Sequence, residues 1–193
     1  MYSFRNDYSE GAHPKVLQAL ADTNLRQTVG YGMDPCCQAA ADTIRRLCAA
    51  PDAAVHFLVG GTQVNLVTID AFLQSYEAVV AAQTGHVSTH ETGAIEATGH
   101  KVCTVESPDG KLTPALVESV LAGHNGTEHM VLPRMVYISD TTEIGTVYTR
   151  AELAALRQCC DVHGLFLYLD GARLGSALTS PDNDLTLPEL AAL

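Results

Sequence analysis

Short apolar runs alternate with stretches of helical spacing along the whole chain. Val55–Val59 (VHFLV) is a strand-like run ending in Gly60-Gly61, and Thr62–Gln74 then carries apolar residues at helical intervals. Ala78–Ala82 (AVVAA) is a second apolar run, followed by a predicted helix over Glu91–Thr98 and a predicted strand over Lys101–Glu106. Thr113–Leu121 is predicted helical, opened by a Thr-Pro pair that suits an N-cap and the first helical position. Met135–Ser139 (MVYIS) is a further strand. Arg150–His163 places apolar residues at 153, 156 and 160 and is ended by Gly164. Leu165–Asp170 (LFLYLD) is a near-continuous apolar strand closing on an acid, and Leu187–Leu193 has a helical pattern. Continuous apolar strands separated by helices predict an α/β fold, a mostly parallel sheet covered by helices on both faces. In such sheets ligands bind beyond the carboxyl ends of the strands, so the residues just after each strand carry the chemistry.

Composition narrows the function classes. At 193 residues the chain is long enough for one domain with a sizeable core, and 47% hydrophobic residues fit a globular protein. A formal charge of −11, with only 11 scattered Lys and Arg, argues against nucleic acid as partner. No apolar run reaches the ~18 residues of a membrane span. The polar opening MYSFRNDYSE is no signal peptide, so a cytoplasmic location is the default expectation. The six cysteines (36, 37, 48, 103, 159 and 160) form no C-x-x-C pair, which points to reduced, packed thiols and to no metal site.

Three strand ends stand out. Gly60-Gly61-Thr62 combines a sharp turn, a close backbone approach and a helix N-terminus, which makes a phosphate cradle; it also makes an ordinary strand-to-helix turn. Asp170-Gly171-Ala172-Arg173 puts a carboxylate at the end of a buried strand, where it needs a cation or donors. A protonated pyridine nitrogen would supply one, and a local Asp–Arg pair would supply another. His86-Val-Ser-Thr-His90-Glu91 offers two histidines four apart, a zinc spacing for which no third ligand stands out. His86, placed after the AVVAA run, is equally suited to lie flat on an aromatic cofactor, and His90 to cap the helix near Glu91.

In this order the motifs resemble the threonine aldolase and β-eliminating lyase family of fold-type I pyridoxal-phosphate enzymes. The resemblance begins at Phe4-Arg5-Asn6-Asp7 and continues through Tyr31-Gly32-Met33-Asp34-Pro35 and Gly60-Gly61-Thr62 with Asn65. It then takes in His86 with Glu91-Thr-Gly-Ala, and Asp170-Gly-Ala-Arg173-Leu. It implies that residues 1–193 are a partial, cofactor-binding large domain of the aspartate-aminotransferase-like fold, with an N-terminal arm over about residues 1–25. It implies pyridoxal 5'-phosphate as cofactor. Gly60, Gly61 and Thr62 would take its phosphate, His86 would stack on its ring, Asp170 would pair with the ring nitrogen, and Arg173 would meet its phenolic oxygen. His86, Asp170 and Arg173 form the implied catalytic set; Asn6, Tyr31, Thr142 and Arg173 form the substrate set. The implied reaction is cleavage of a β-hydroxy-α-amino acid such as threonine to glycine and an aldehyde, by a homodimer or homotetramer.

The departures from the pattern are specific. Asn6 stands where the family usually has serine. The family's Glu-Asn-Thr-His-Asn segment is Ser139-Asp-Thr-Thr142-Glu143, so a threonine replaces the histidine associated with the substrate's hydroxyl. That makes β-elimination the alternative, because aldol cleavage must manage the proton of that hydroxyl. The three lysines, Lys15, Lys101 and Lys111, lie in none of the contexts of the family's cofactor-binding lysine. The resulting expectation is a fragment that is inactive alone, or a half that works beside a second chain carrying the remainder.

Overall fold

Because strands buried on both faces read as unbroken apolar runs, the AVVAA segment should lie at the centre of the sheet, and it does. The computed structural model describes residues 3–124 and 126–193. Strand β1 (Glu77–Ala82) is buried along its whole length and pairs in parallel with β2 (Lys101–Val105) and β3 (Leu132–Ser139). Strand β4 (Phe166–Asp170) adds to β3, giving the order β2-β1-β3-β4 with all pairs parallel. The β1–β3 register slips between Ala78 and Val79, where Pro133 offers no N–H to the ladder and Val79 faces Met135.

Side chains alternate across this sheet with the period of two that a pleated strand imposes. Val80, Ala82, Val136 and Ile138 pack on one face with Val117, Leu153, Leu156 and Cys160. These last come from α6 (Pro114–Gly123) and α7 (Arg150–His163). Val79, Ala81, Met135 and Tyr137 pack on the other face with Ile69, Leu73, Val87 and Ile95. That layer comprises α3 (Gly61–Phe72) and the short helices α4 (His86–Thr89) and α5 (Ala94–Ala97).

Helix α7 forms where expected: Thr149 and Glu152 close a capping box, and Gly164 takes the left-handed conformation at φ 64. Burial opposes ionisation of Glu152, but the Lys111 ammonium at 2.5 Å and the Thr149 bonds prevail and hold its carboxyl below the ordinary range. Two expectations need correction. Val55–Val59 joins no strand among the described residues, and Phe57, Leu58 and Val59 stay exposed, since an apolar run without a ladder partner is not a strand. The helix expected over Glu91–Thr98 is broken by Thr92 (φ 52) and Gly93 (φ 77), leaving only α5.

The chain divides into two compact units, Met1–Ala41 and Asp42–Leu193. The first contains α1 (Pro14–Thr23), and the break falls inside α2 (Pro35–Leu47), whose first turn is capped by Asp34 accepting from the N–H groups of Cys36 and Cys37. The second unit carries the sheet and α8 (Leu174–Leu178) and α9 (Leu187–Ala191). Among the described residues no helix is long and apolar enough to cross a membrane.

Candidate active site

The strand order changes direction between β1 and β3, and the crevice outside such a switch point is where open α/β sheets bind ligands. His86 follows β1, Ser139 ends β3, Asp170 ends β4, and α3 runs across from the neighbouring layer. The side chains that meet there form a continuous chain of hydrogen bonds.

Asn65, 2% exposed, is its hub. Its amide nitrogen donates to Glu91 Oε1 at 2.6 Å and to Asp170 Oδ2 at 3.0 Å, while its oxygen accepts from the Tyr168 hydroxyl at 2.6 Å. Both amide protons are thereby committed to carboxylates, which fixes which way the amide points. Asp170 Oδ2 also accepts from the Tyr137 hydroxyl at 2.7 Å, and Oδ1 accepts from Ala172 N–H at 3.0 Å. Burial first, and then the Asp170 charge, raise the Tyr137 phenol far above its ordinary range. The same causes push Tyr168 up to about 12. Both tyrosines therefore keep their protons and act as donors. Their rings meet edge to face at 5.6 Å, which locks the two hydroxyls in place.

Glu91 Oε1 also meets His86 Nδ1 at 2.8 Å; the histidine side chain is 38% exposed and the glutamate side chain fully buried. With Nδ1–H donating to the Glu91 carboxylate, Nε2 is left as the ring's second nitrogen. Glu91 Oε2 finds no donor among the described residues. On the far side, Glu143 Oε1 accepts from His86 N–H at 2.9 Å and from the Ser139 hydroxyl at 2.6 Å. Ser139 has one proton and a more distant neighbour in Tyr137 Oη at 3.3 Å, so Glu143 is its partner and the contact with Tyr137 completes the ring. His86 and Asp170 are thus brought together, linked through Glu91 and Asn65.

Asn65 stands three residues after Thr62 on α3, one turn along the same helical face. Thr62, with Gly60 and Gly61, therefore lies a turn beyond the Asp170 contact. Gly60 has φ 91 and ψ 153, a conformation open essentially to glycine alone, and no side chain caps the helix there. A Cβ at Gly60 or Gly61 would meet nothing within 4 Å, so the cradle is open. Gly60→Ala is therefore expected to cost about 1–3 kcal/mol through backbone strain alone, read as a lower denaturation midpoint at unchanged m-value.

Thr142 is not brought into the group. It is 2% exposed, and its hydroxyl is taken by Thr146, with Oγ–Oγ at 2.6 Å and Thr146 N–H at 3.1 Å. Its hydroxyl closes a turn with Thr146, and Glu143 is the residue of that segment facing His86. Arg173 occupies the N-cap position of α8, three residues past Asp170. Asn6 and Tyr31 belong to the first unit, where Asn6 Oδ1 accepts from Tyr8 N–H and Ser9 Oγ, and Tyr31 is fully exposed at φ 62. Sequence reasoning assigned no role to Tyr137, Tyr168 or Glu143, and noted Asn65 and Glu91 only as parts of motifs.

The chain matches the Beta-eliminating lyase family over residues 4–186. It is 37% identical over 176 residues to the low specificity L-threonine aldolase of Pseudomonas sp. (strain NCIMB 10558), covering 90% of this chain and 50% of that protein. A threonine aldolase structure from Leishmania major superposes with a TM-score of 0.97 at 57% identity, covering 100% of this chain and 56% of that one. The aspartate aminotransferase of Rhizobium meliloti, at 15% identity and a TM-score of 0.70, shares the fold, as expected of an aspartate-aminotransferase-like domain. The chain spans about half the length of the curated relatives it matches.

Proposed function

The chain belongs to the Beta-eliminating lyase family, and on that premise we propose that the whole protein is a pyridoxal-phosphate-dependent lyase of the threonine aldolase type. The observation that supports this reading most is the hydrogen-bonded chain from His86 through Glu91 and Asn65 to Asp170. It holds one ring and one carboxylate in fixed relation at the switch point of the sheet. The residues present fit the cofactor: the uncapped start of α3 offers free N–H groups to a phosphate, with no Cβ in the way at Gly60 or Gly61.

In this reading Gly60, Gly61 and Thr62 bind the phosphate, and His86 lies against the pyridine ring, its plane set by the Nδ1 bond to Glu91. Asp170 holds the proton on the ring nitrogen, with Tyr137 and Asn65 fixing its carboxylate. Arg173 meets the phenolic oxygen and the substrate carboxylate, and Asn6 and Tyr31 complete the substrate set in a homo-oligomer, where exposed Tyr31 reaches a neighbouring site. The cofactor, when bound, supplies an electron sink beside the substrate's Cα. Because the Thr142 hydroxyl is spent, Glu143 is the acceptor this segment offers for the proton of a β-hydroxyl.

The test is product analysis. The whole protein, loaded with pyridoxal phosphate and given L-threonine, is expected to release glycine and acetaldehyde in equal amounts. Formation of 2-oxobutanoate and ammonia in their place assigns the β-elimination reading. Turnover of neither kind sinks the lyase reading.

A further inference from the structure

Away from the crevice, three side chains of metal-ligating type converge on the other face of the sheet. Cys159 Sγ, a His163 ring nitrogen and a Glu118 carboxylate oxygen all lie within 4.8 Å of one another. We propose that Glu118, Cys159 and His163 form a binding site for a thiophilic divalent metal ion of the zinc type, clipping α6 to α7.

The geometry follows from the helices. Cys159 and His163 are four residues apart on α7 and so share one face, and Glu118 reaches them from the middle of α6. As it stands, the direct contact is poor: His163 Nε2 and Glu118 Oε1 are 3.9 Å apart, with side chains 37% and 59% exposed. An ion pair that long and that wet contributes little to stability. An interposed cation shortens every contact, since zinc takes sulfur at about 2.3 Å and nitrogen or oxygen at about 2.0–2.2 Å. The charges also suit it. A thiolate and a carboxylate neutralise a divalent ion, the neutral imidazole adds a third ligand, and water completes a tetrahedron. Cys159 is a thiol at rest, its pKa raised by burial and then by Glu118. Binding therefore forms the S–metal bond as the S–H proton leaves to solvent, with no change of oxidation state. The last turn of α7 carries the negative end of the helix dipole, which favours a cation there.

The location sets the role. After α7, Gly164 turns the chain and β4 starts at Phe166, so the last turn of α7 adjoins the amino end of β4. Asp170 closes the opposite end, about 13 Å away along the strand at ~3.3 Å per residue. An ion at Cys159 is a structural clip, outside the chemistry at the carboxyl ends.

Cobalt(II) is the probe, because it gives a near-ultraviolet thiolate charge-transfer band only when sulfur binds. The cofactor-loaded protein is expected to develop that band at one equivalent and lose it to added zinc(II), which also raises the unfolding temperature. Cys159→Ser should abolish the band, and His163→Ala and Glu118→Ala should weaken cobalt binding at least roughly tenfold. The latter two residues are at the surface, so those variants keep the test decisive if C159S folds poorly. Cys36, exposed, with its half-buried neighbour Cys37, is the rival site. A band that survives H163A and E118A unweakened, disappears in a C36S/C37S variant, or never forms overturns the assignment.

Discussion

Asp170→Asn is expected to lower turnover by about two to three decades, the equivalent of roughly 3–4 kcal/mol at about 1.4 kcal/mol per decade. The loss has two physical sources. First, a neutral amide no longer holds a proton on a ring nitrogen. Second, the amide has no good orientation in its pocket. Oδ2 receives donors from Tyr137 and Asn65 and Oδ1 receives Ala172 N–H, so every position around the carboxylate presents a hydrogen. Whichever way the amide of D170N is turned, its NH2 group faces another donor. Asn65 cannot adapt, because it has already used its oxygen on Tyr168. Steady-state kinetics with L-threonine and a cofactor-binding isotherm, run on the same preparation, measure the effect. A kcat within about threefold of the parent would remove Asp170 from the chemistry.

Asn65→Asp is expected to produce a large loss of stability although it is isosteric. The substitution replaces a donor lying between two carboxylates with a third carboxylate. It removes the bonds to Glu91 and Asp170 and sets like charges about 3 Å apart in a buried site. Leaving buried charge uncompensated costs about 3–5 kcal/mol, which for a chain of this size lowers the melting temperature by roughly 10 °C. The sign with pH follows from the same charges. In the folded state the introduced carboxyl has its pKa raised by its neighbours, so the penalty is full above that raised value. The charge part of the penalty fades as pH falls and is gone once pH passes below the ordinary carboxylate value, leaving the cost of the donor that a protonated carboxyl lacks. Thermal melts from pH 7 to pH 4 should therefore show N65D converging on the parent. Parallel curves would mean that shape, and not charge, makes Asn65 necessary.

How much of this was legible beforehand depended on how local the determining contacts are. Helix α7 was readable to its ends because its cap, its stripe and its terminal glycine lie within the segment itself. His86 and Asp170 were readable because each follows an apolar strand, and strand ends are where such sheets place ligands. The link between them was not. Asn65 reaches Glu91 across 26 positions and Asp170 across 105, and nothing in the spacing of an asparagine on a helix announces that. The VHFLV run misled for the complementary reason: its apolar pattern is local, but strand formation needs a partner, and none of the described strands pairs with it. The partner of the Thr142 hydroxyl was not legible either: position within a motif says where a residue falls, while the turn to Thr146 decides where its hydroxyl points.

The order β2-β1-β3-β4 has a consequence for how the crevice is assembled in time. The β1–β2 pairing, such as Ala78 with Lys101, closes a short loop, whereas Val79 cannot meet Met135 until β2 and α6 have been looped out of the way. Loop-closure entropy makes the second pairing the later and slower event. His86 hangs from one side of that seam, and Ser139 with Glu143 from the other. The crevice therefore straddles the ladder with the longest loop to close, so an opening that frays the β1–β3 seam would part its two sides even with the β1–β2 pair intact.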